Sequence, residues 1–90
     1  YPSTIKDVAF MLDKNINSMD VINTIQKKGG KIVSNVEVFD VFEKDDKKSI
    51  AFKITFQDST KTLTDEEVII SFNSIIENIE KEFNAILRNK

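Results

Sequence analysis

Between Val36 and Gln57 the chain reads VEVFDVFEKDDKKSIAFKITFQ. Apolar and polar residues alternate on both sides of a charged segment, which predicts two strands joined by a turn. The alternation slips once. Val36 and Val38 fall on even numbers, Phe39 and Val41 on odd ones, and Ile50, Phe52, Ile54 and Phe56 on even ones again. A β-bulge near Val38–Phe39 explains the slip, because it adds a residue and turns the following side chains over. On this reading Phe39 and Val41 face a core, while Asp40 and Phe42 face away.

The same pattern places the other elements. Ile5–Leu12 alternates, with Val8, Phe10 and Leu12 on one side and Asp7, Ala9 and Met11 on the other. A helix follows, capped by Asn17 or Ser18, with Asp20 in its first turn. Val21, Ile22 and Ile25 share its apolar face, and Gly29–Gly30 ends it, one of the two in a left-handed state. The second strand spans about Lys31–Glu43, and "EKDD" makes the turn. The third strand, Ser49–Gln57, sends Ile50, Phe52, Ile54 and Phe56 inward and Ser49, Ala51, Lys53 and Thr55 outward. "TDEE" is a capping box, with Thr64 as N-cap and Glu67 three positions on. It opens a long helix whose buried stripe is Val68, Phe72, Ile75, Ile76, Ile79 and Phe83. "NAILRN" reads either as a last strand or as a frayed helix end, and the pattern favours a short strand.

The resulting order, β-α-β-β-α-β, is an α+β ferredoxin-like sandwich: a four-stranded antiparallel sheet with two helices on one face. Ninety residues suit one domain over 1–90, with one modest core. The chain begins with Tyr1 instead of methionine, which suggests a piece of a longer protein. No apolar run is long enough to cross a bilayer as a helix, and no signal-peptide pattern opens the chain.

Composition narrows the chemistry. There is no cysteine and no histidine, so thiolate metal sites, disulfides and the commonest general base are excluded. Serine nucleophiles lack a histidine base, and the two glycines form no phosphate-cradling loop. Asp65, Glu66 and Glu67 suit a helix N-terminus better than a metal, since adjacent helical positions do not converge on one ion. Net charge is −2, which does not by itself announce a nucleic-acid partner.

Two helices cover one side of such a sheet and leave the other open. The open side carries Ala9, Met11, Asp40, Phe42, Ser49, Ala51, Lys53 and Thr55. Single-stranded RNA is often read on sheets of this kind, where an aromatic stacks on a base and polar groups read its edge. Phe42 can stack, Asp40 can accept from a base N–H, and Ser49 can donate or accept. Ala9 lets a base lie close. A sheet face of this kind also suits a protein partner, so periodicity alone leaves both readings open.

The segments "YPSTIKDVAF", "VEVFDVFE", "KKSIAFKITFQD" and "TLTDEEV" resemble the ferredoxin-fold anticodon-binding domain that ends the bacterial phenylalanine–tRNA ligase β subunit. The resemblance runs through essentially the whole chain. It implies a tRNA-binding module without catalysis or cofactor of its own, within a cytoplasmic enzyme of two α and two β subunits. The implied partners are phenylalanine tRNA, the α subunit and the other β-subunit domains, and no membrane. Aminoacylation, with its ATP and Mg²⁺, is implied for the α subunit and proofreading for another part of the β subunit. The resemblance assigns Phe42 to stacking on the first anticodon base. It assigns Asp40 and Ser49 to polar contacts, Ala9 to the small position, and Lys47, Lys48 and Lys53 to phosphates. Three positions depart from the family pattern. The "EKDD" hairpin is shorter than the usual glycine-containing loop. Lys6 stands where arginine is usual, and Phe42 where tyrosine is. The alternative is a ferredoxin-like module that docks a protein or subunit without RNA. A small acylphosphatase-type enzyme lacks its arginine and glycine-rich loop, since Arg88 is the single arginine.

Overall fold

The computed structural model describes residues 1–88. Along them run β1 (Thr4–Asp13), α1 (Ser18–Gly29), a 3₁₀ turn (Gly30–Ile32), β2 (Val33–Lys44), β3 (Lys47–Phe56), α2 (Asp65–Phe83) and β4 (Ile86–Leu87). The strands form one antiparallel sheet in the order β2-β3-β1-β4. This is the ferredoxin-like α+β fold. The short strand expected in "NAILRN" is Ile86–Leu87, and Asn89 of that stretch and the following Lys90 lie outside the described residues.

One core lies between the helices and one face of the sheet. β1 contributes Val8, Phe10 and Leu12, and β3 contributes Ile50, Phe52, Ile54 and Phe56. The helices return Val21 and Ile25 from α1 and Val68, Ile75 and Ile79 from α2. Burying each such side chain stabilises by about 1.5–3 kcal/mol relative to leaving it in water. Phe56 meets Phe72 edge-on at 6.3 Å between centroids, and Phe10 and Phe52 pack tilted at 6.4 Å.

Chain reversals follow local chemistry. The Asn17 side chain accepts from Met19 N at 2.8 Å and starts α1. Gly30 has φ 65° and ψ −148°, a backbone state that essentially only glycine adopts. Gly29 is needed for a different reason: a Cβ there would collide with the Val33 side chain and lie 3.3 Å from Ile75 Cδ1. Asn84, with φ 55° and ψ 36°, is a left-handed cap that ends α2 and redirects the chain into β4. Asp45, with φ 58°, holds the two-residue turn between paired Lys44 and Lys47.

The expected bulge is present, with a register shift between Val38 and Asp40, and a second one lies between Val33 and Asn35. Val33, Val36, Val38 and Val41 are therefore paired with the buried row Phe56, Ile54, Phe52 and Ile50. Two expectations for this strand fail. Phe39 does not face the core: it is the inserted residue, 51% exposed, with Lys53 Nζ 5.2 Å from its ring centroid. Lys53 points away from the helices, because its neighbours Phe52 and Ile54 are buried, so Phe39 shares the open face. Val41 pairs with buried Ile50 yet is 51% exposed. The helical cover does not reach this outer half of the edge strand.

The capping box of α2 is complete. Thr64 Oγ1 accepts from Glu67 N at 3.1 Å, and Glu67 Oε1 accepts from Thr64 N at 2.9 Å. Glu67 also pairs with Lys61. The Lys61 hydrogen bond and then the Thr64 N–H hold the Glu67 carboxyl below its ordinary pKa. A depressed carboxylate stabilises above the unfolded-state pKa and loses that contribution as pH falls through the folded value. We predict that Thr64→Ala lowers unfolding free energy by about 1 kcal/mol in urea melts at neutral pH. Glu67→Gln is expected to make stability less sensitive to acidification below about pH 4.3. An unaltered acid limb in Glu67→Gln would contradict this role.

Candidate nucleic-acid interface

Side chains directly opposite in an antiparallel sheet share a face, so register alone builds the open surface in cross-strand rows. The row nearest the hairpin end is Lys44–Lys47–Asp13. Next comes Phe42–Ser49–Met11–Ile86. The third is Asp40–Ala51–Ala9, and Arg88 N donates to Ala9 O at 2.8 Å, extending it to the residue that follows β4. The fourth is Glu37–Lys53–Asp7. Phe42 and Asp40 thus lie beside each other on the edge strand. Ser49 and Ala51 follow on the next strand, then Met11 and Ala9.

The geometry separates the expected site residues. Ala9, Asp40, Phe42 and Ser49 come together in adjacent rows. Phe42 is 59% exposed and forms the most accessible aromatic surface on this face. Ser49 faces the same way but is only 8% exposed, flanked in register by Phe42 and Met11. Ala9 and Ala51 make a shallow floor between the bulkier rows. Lys47 and Lys53 also lie on the open face. Lys48 does not: it pairs with Glu43 and with buried Leu12 on the helix-covered side. Consecutive strand residues point to opposite faces, so Lys47 and Lys48 cannot both serve one surface.

Three further residues belong to this surface. Phe39 adds a second exposed ring, and its contact with Lys53 is a cation–π pair, worth about 0.5–1 kcal/mol at an exposed site. Lys53 adopts this position although Glu37 and Asp7 flank it in register. Ile86 is 65% exposed beside Met11. Arg88 reaches the face through β4. The slip in apolar phase signalled the bulge, but a bulged residue stands outside the alternation, and phase could not orient Phe39. Nothing in the spacing of "NAILRN" tied Arg88 to Ala9, because that pairing depends on the left-handed turn at Asn84.

An open cavity of about 450 Å³ lies at the hairpin end of the face, with Met11, Phe42 and Arg88 among its walls. A half-apolar, aromatic surface of this kind can stack a planar base. Its neighbouring carboxylate and hydroxyl can read polar edges, and its cations can meet phosphates.

Known proteins match the sequence along nearly its whole length. The ferredoxin-fold anticodon binding domain matches residues 1–88. The phenylalanine–tRNA ligase β subunit of Oceanobacillus iheyensis is 40% identical over 93 residues, covering 99% of this chain and 12% of that protein. Its counterpart in Listeria monocytogenes serotype 4b is 38% identical over 92 residues, covering 98% and 12%. That of Bacillus subtilis is 36% identical over 92 residues, covering 98% and 11%. The chain therefore spans about an eighth of the length of these relatives.

The exposed and buried phenylalanines should separate cleanly in stability. Phe42→Ala is expected to change unfolding free energy by no more than about 0.5 kcal/mol. Phe52→Ala is expected to cost about 3–5 kcal/mol. Urea unfolding of both variants checks this, and a large loss in Phe42→Ala would make that ring a core element.

Proposed function

The chain belongs to the ferredoxin-fold anticodon binding domain family, and on that premise we propose that its open sheet face grips the anticodon of phenylalanine tRNA. The chain is then the anticodon-binding domain, residues 1–90, of a phenylalanine–tRNA ligase β subunit. Aminoacylation, with ATP and Mg²⁺, falls to the α subunit, and this domain supplies recognition without a cofactor. The other β-subunit domains and the α subunit are its protein partners in a cytoplasmic enzyme.

The observation that carries the proposal is the register. It brings Phe42, Asp40, Ser49 and Ala9 into two adjacent rows of one uncovered face. Phe42 stacks on the first anticodon base. Asp40 is exposed and accepts from a base amino or imino group. Ser49 meets the base edge from between Phe42 and Met11. Ala9 and Ala51 let the base approach the sheet. Lys47 and Lys53 attract the backbone. With a net charge of −2, phosphate attraction is local, so binding is expected to weaken steeply with salt.

Titration of labelled chain with an anticodon stem-loop of phenylalanine tRNA at low salt tests this reading. Amide shifts should cluster at Ala9, Asp40, Phe42 and Ser49. Phe42→Ala should weaken binding by about 5- to 150-fold, the range expected for losing one base–aromatic stack. In the assembled enzyme the same variant should raise KM for tRNA and leave KM for ATP and phenylalanine unchanged. An unchanged KM for tRNA would reject anticodon binding through Phe42. Self-association that buries Phe42, with no response to RNA, would favour a protein-docking face instead.

A further inference from the structure

We propose that the cavity at the hairpin end is a phosphate subsite, in which Lys44, Lys47 and Arg88 hold the phosphodiester next to the nucleotide stacked on Phe42. This rests on the anticodon reading above and assigns the strand's backbone a place beside it.

The cavity, of about 450 Å³, has Met11 and Phe42 as its apolar walls and Lys44, Lys47 and Arg88 as its cations, with Asp45 and Asp46 at the turn. The cations come from two separate parts of the chain. Lys44 and Lys47 stand directly opposite each other across the two-residue turn. Like charges in that relation repel and weaken a hairpin, and the register partner of Lys47 on its other side is Asp13. Arg88 arrives from the other edge of the sheet, its backbone tied to Ala9 O at 2.8 Å.

Among the described residues, none of the three forms an ion pair with a carboxylate, and the ion pair formed is Lys61–Glu67, on another part of the molecule. Of the two aspartates at the cavity, Asp45 has a structural reason to be there. Asp45 holds the positive φ of the turn, 58°, which aspartate tolerates better than most residues. The Asp46 backbone carbonyl accepts from Lys14 N at 3.0 Å, and its side chain remains at the cavity beside the cations. A guanidinium beside two ammonium groups suits a phosphodiester. The chemistry favours RNA over an acidic peptide because the same cavity presents the exposed ring of Phe42, on which a base can stack.

Counterion release separates phosphate contacts from base contacts. On a single strand each neutralised phosphate contributes about 0.7 to the magnitude of the slope of log affinity against log salt. The experiment measures binding of the labelled anticodon stem-loop by the 90-residue chain across a salt series. The triple variant Lys44→Gln/Lys47→Gln/Arg88→Gln should lose at least about 0.7 of slope and bind about tenfold more weakly at low salt. Phe42→Ala should weaken binding with the slope unchanged. A control triple, Lys27→Gln/Lys28→Gln/Lys31→Gln, makes the same charge change on exposed lysines around the C-terminal end of α1 and should keep the wild-type slope.

If the cavity triple keeps the wild-type slope while Phe42→Ala binds weakly, the phosphate subsite is wrong and the anticodon reading stands. An equal loss of slope in the control triple also overturns the subsite, since net charge alone would then account for it. If the wild-type chain shows no saturable RNA binding at low salt, both readings fall. Competition by a polyglutamate peptide but not by RNA would assign the cavity to an acidic protein segment instead.

Discussion

The pairing of β3 with strands on both sides governs the molecule. Ile50, Phe52, Ile54 and Phe56 are all buried on one side of that strand. A slip of one residue would push the whole set into water. Because the hydrophobic effect forbids that slip, it also sets where Ser49, Ala51 and Lys53 emerge. The neighbours of those residues on β1 and β2 follow from hydrogen-bonded register. The open face is thus positioned by apolar burial on the opposite side of the same strands.

Much of this was legible in the chain. Strict alternation defined β1 and β3, and the spacing of the apolar stripe defined α2. The Thr64–Glu67 pair marked the start of α2 to the residue. The phase slip located the Val38–Asp40 bulge and correctly turned Asp40 and Phe42 outward. What escaped were positions where alternation has no meaning or where cover depends on distant elements. Phe39 is the inserted residue and follows neither phase. Val41 has the right phase, but the helices stop short of it. Ser34, at the earlier register shift, is polar and left no apolar signature. Lys47 and Lys48 look equivalent as sequence and face opposite ways as structure.

Three backbone exceptions do work that side-chain pattern cannot. Gly29 lets α1 approach Val33 and Ile75, Gly30 makes the exit, and Asn84 turns the chain from α2 back along β1. Without the turn at Asn84, Arg88 would not lie beside Ala9. The face therefore has one wall set by a helix cap and another set by a hairpin turn, both outside the alternating pattern that gives the face its floor.

β2 is an edge strand, and its outer half displays Phe39, Val41 and Phe42 to solvent. A straight edge with such side chains is a template on which a second chain can add a strand and begin to aggregate. The two register shifts in β2 interrupt the regular spacing of its free backbone groups and increase its local twist. The bulge that reorients the aromatics thus also makes the edge a poor partner for another strand. An edge blunted in this way can keep exposed aromatic rings in solution without recruiting copies of itself.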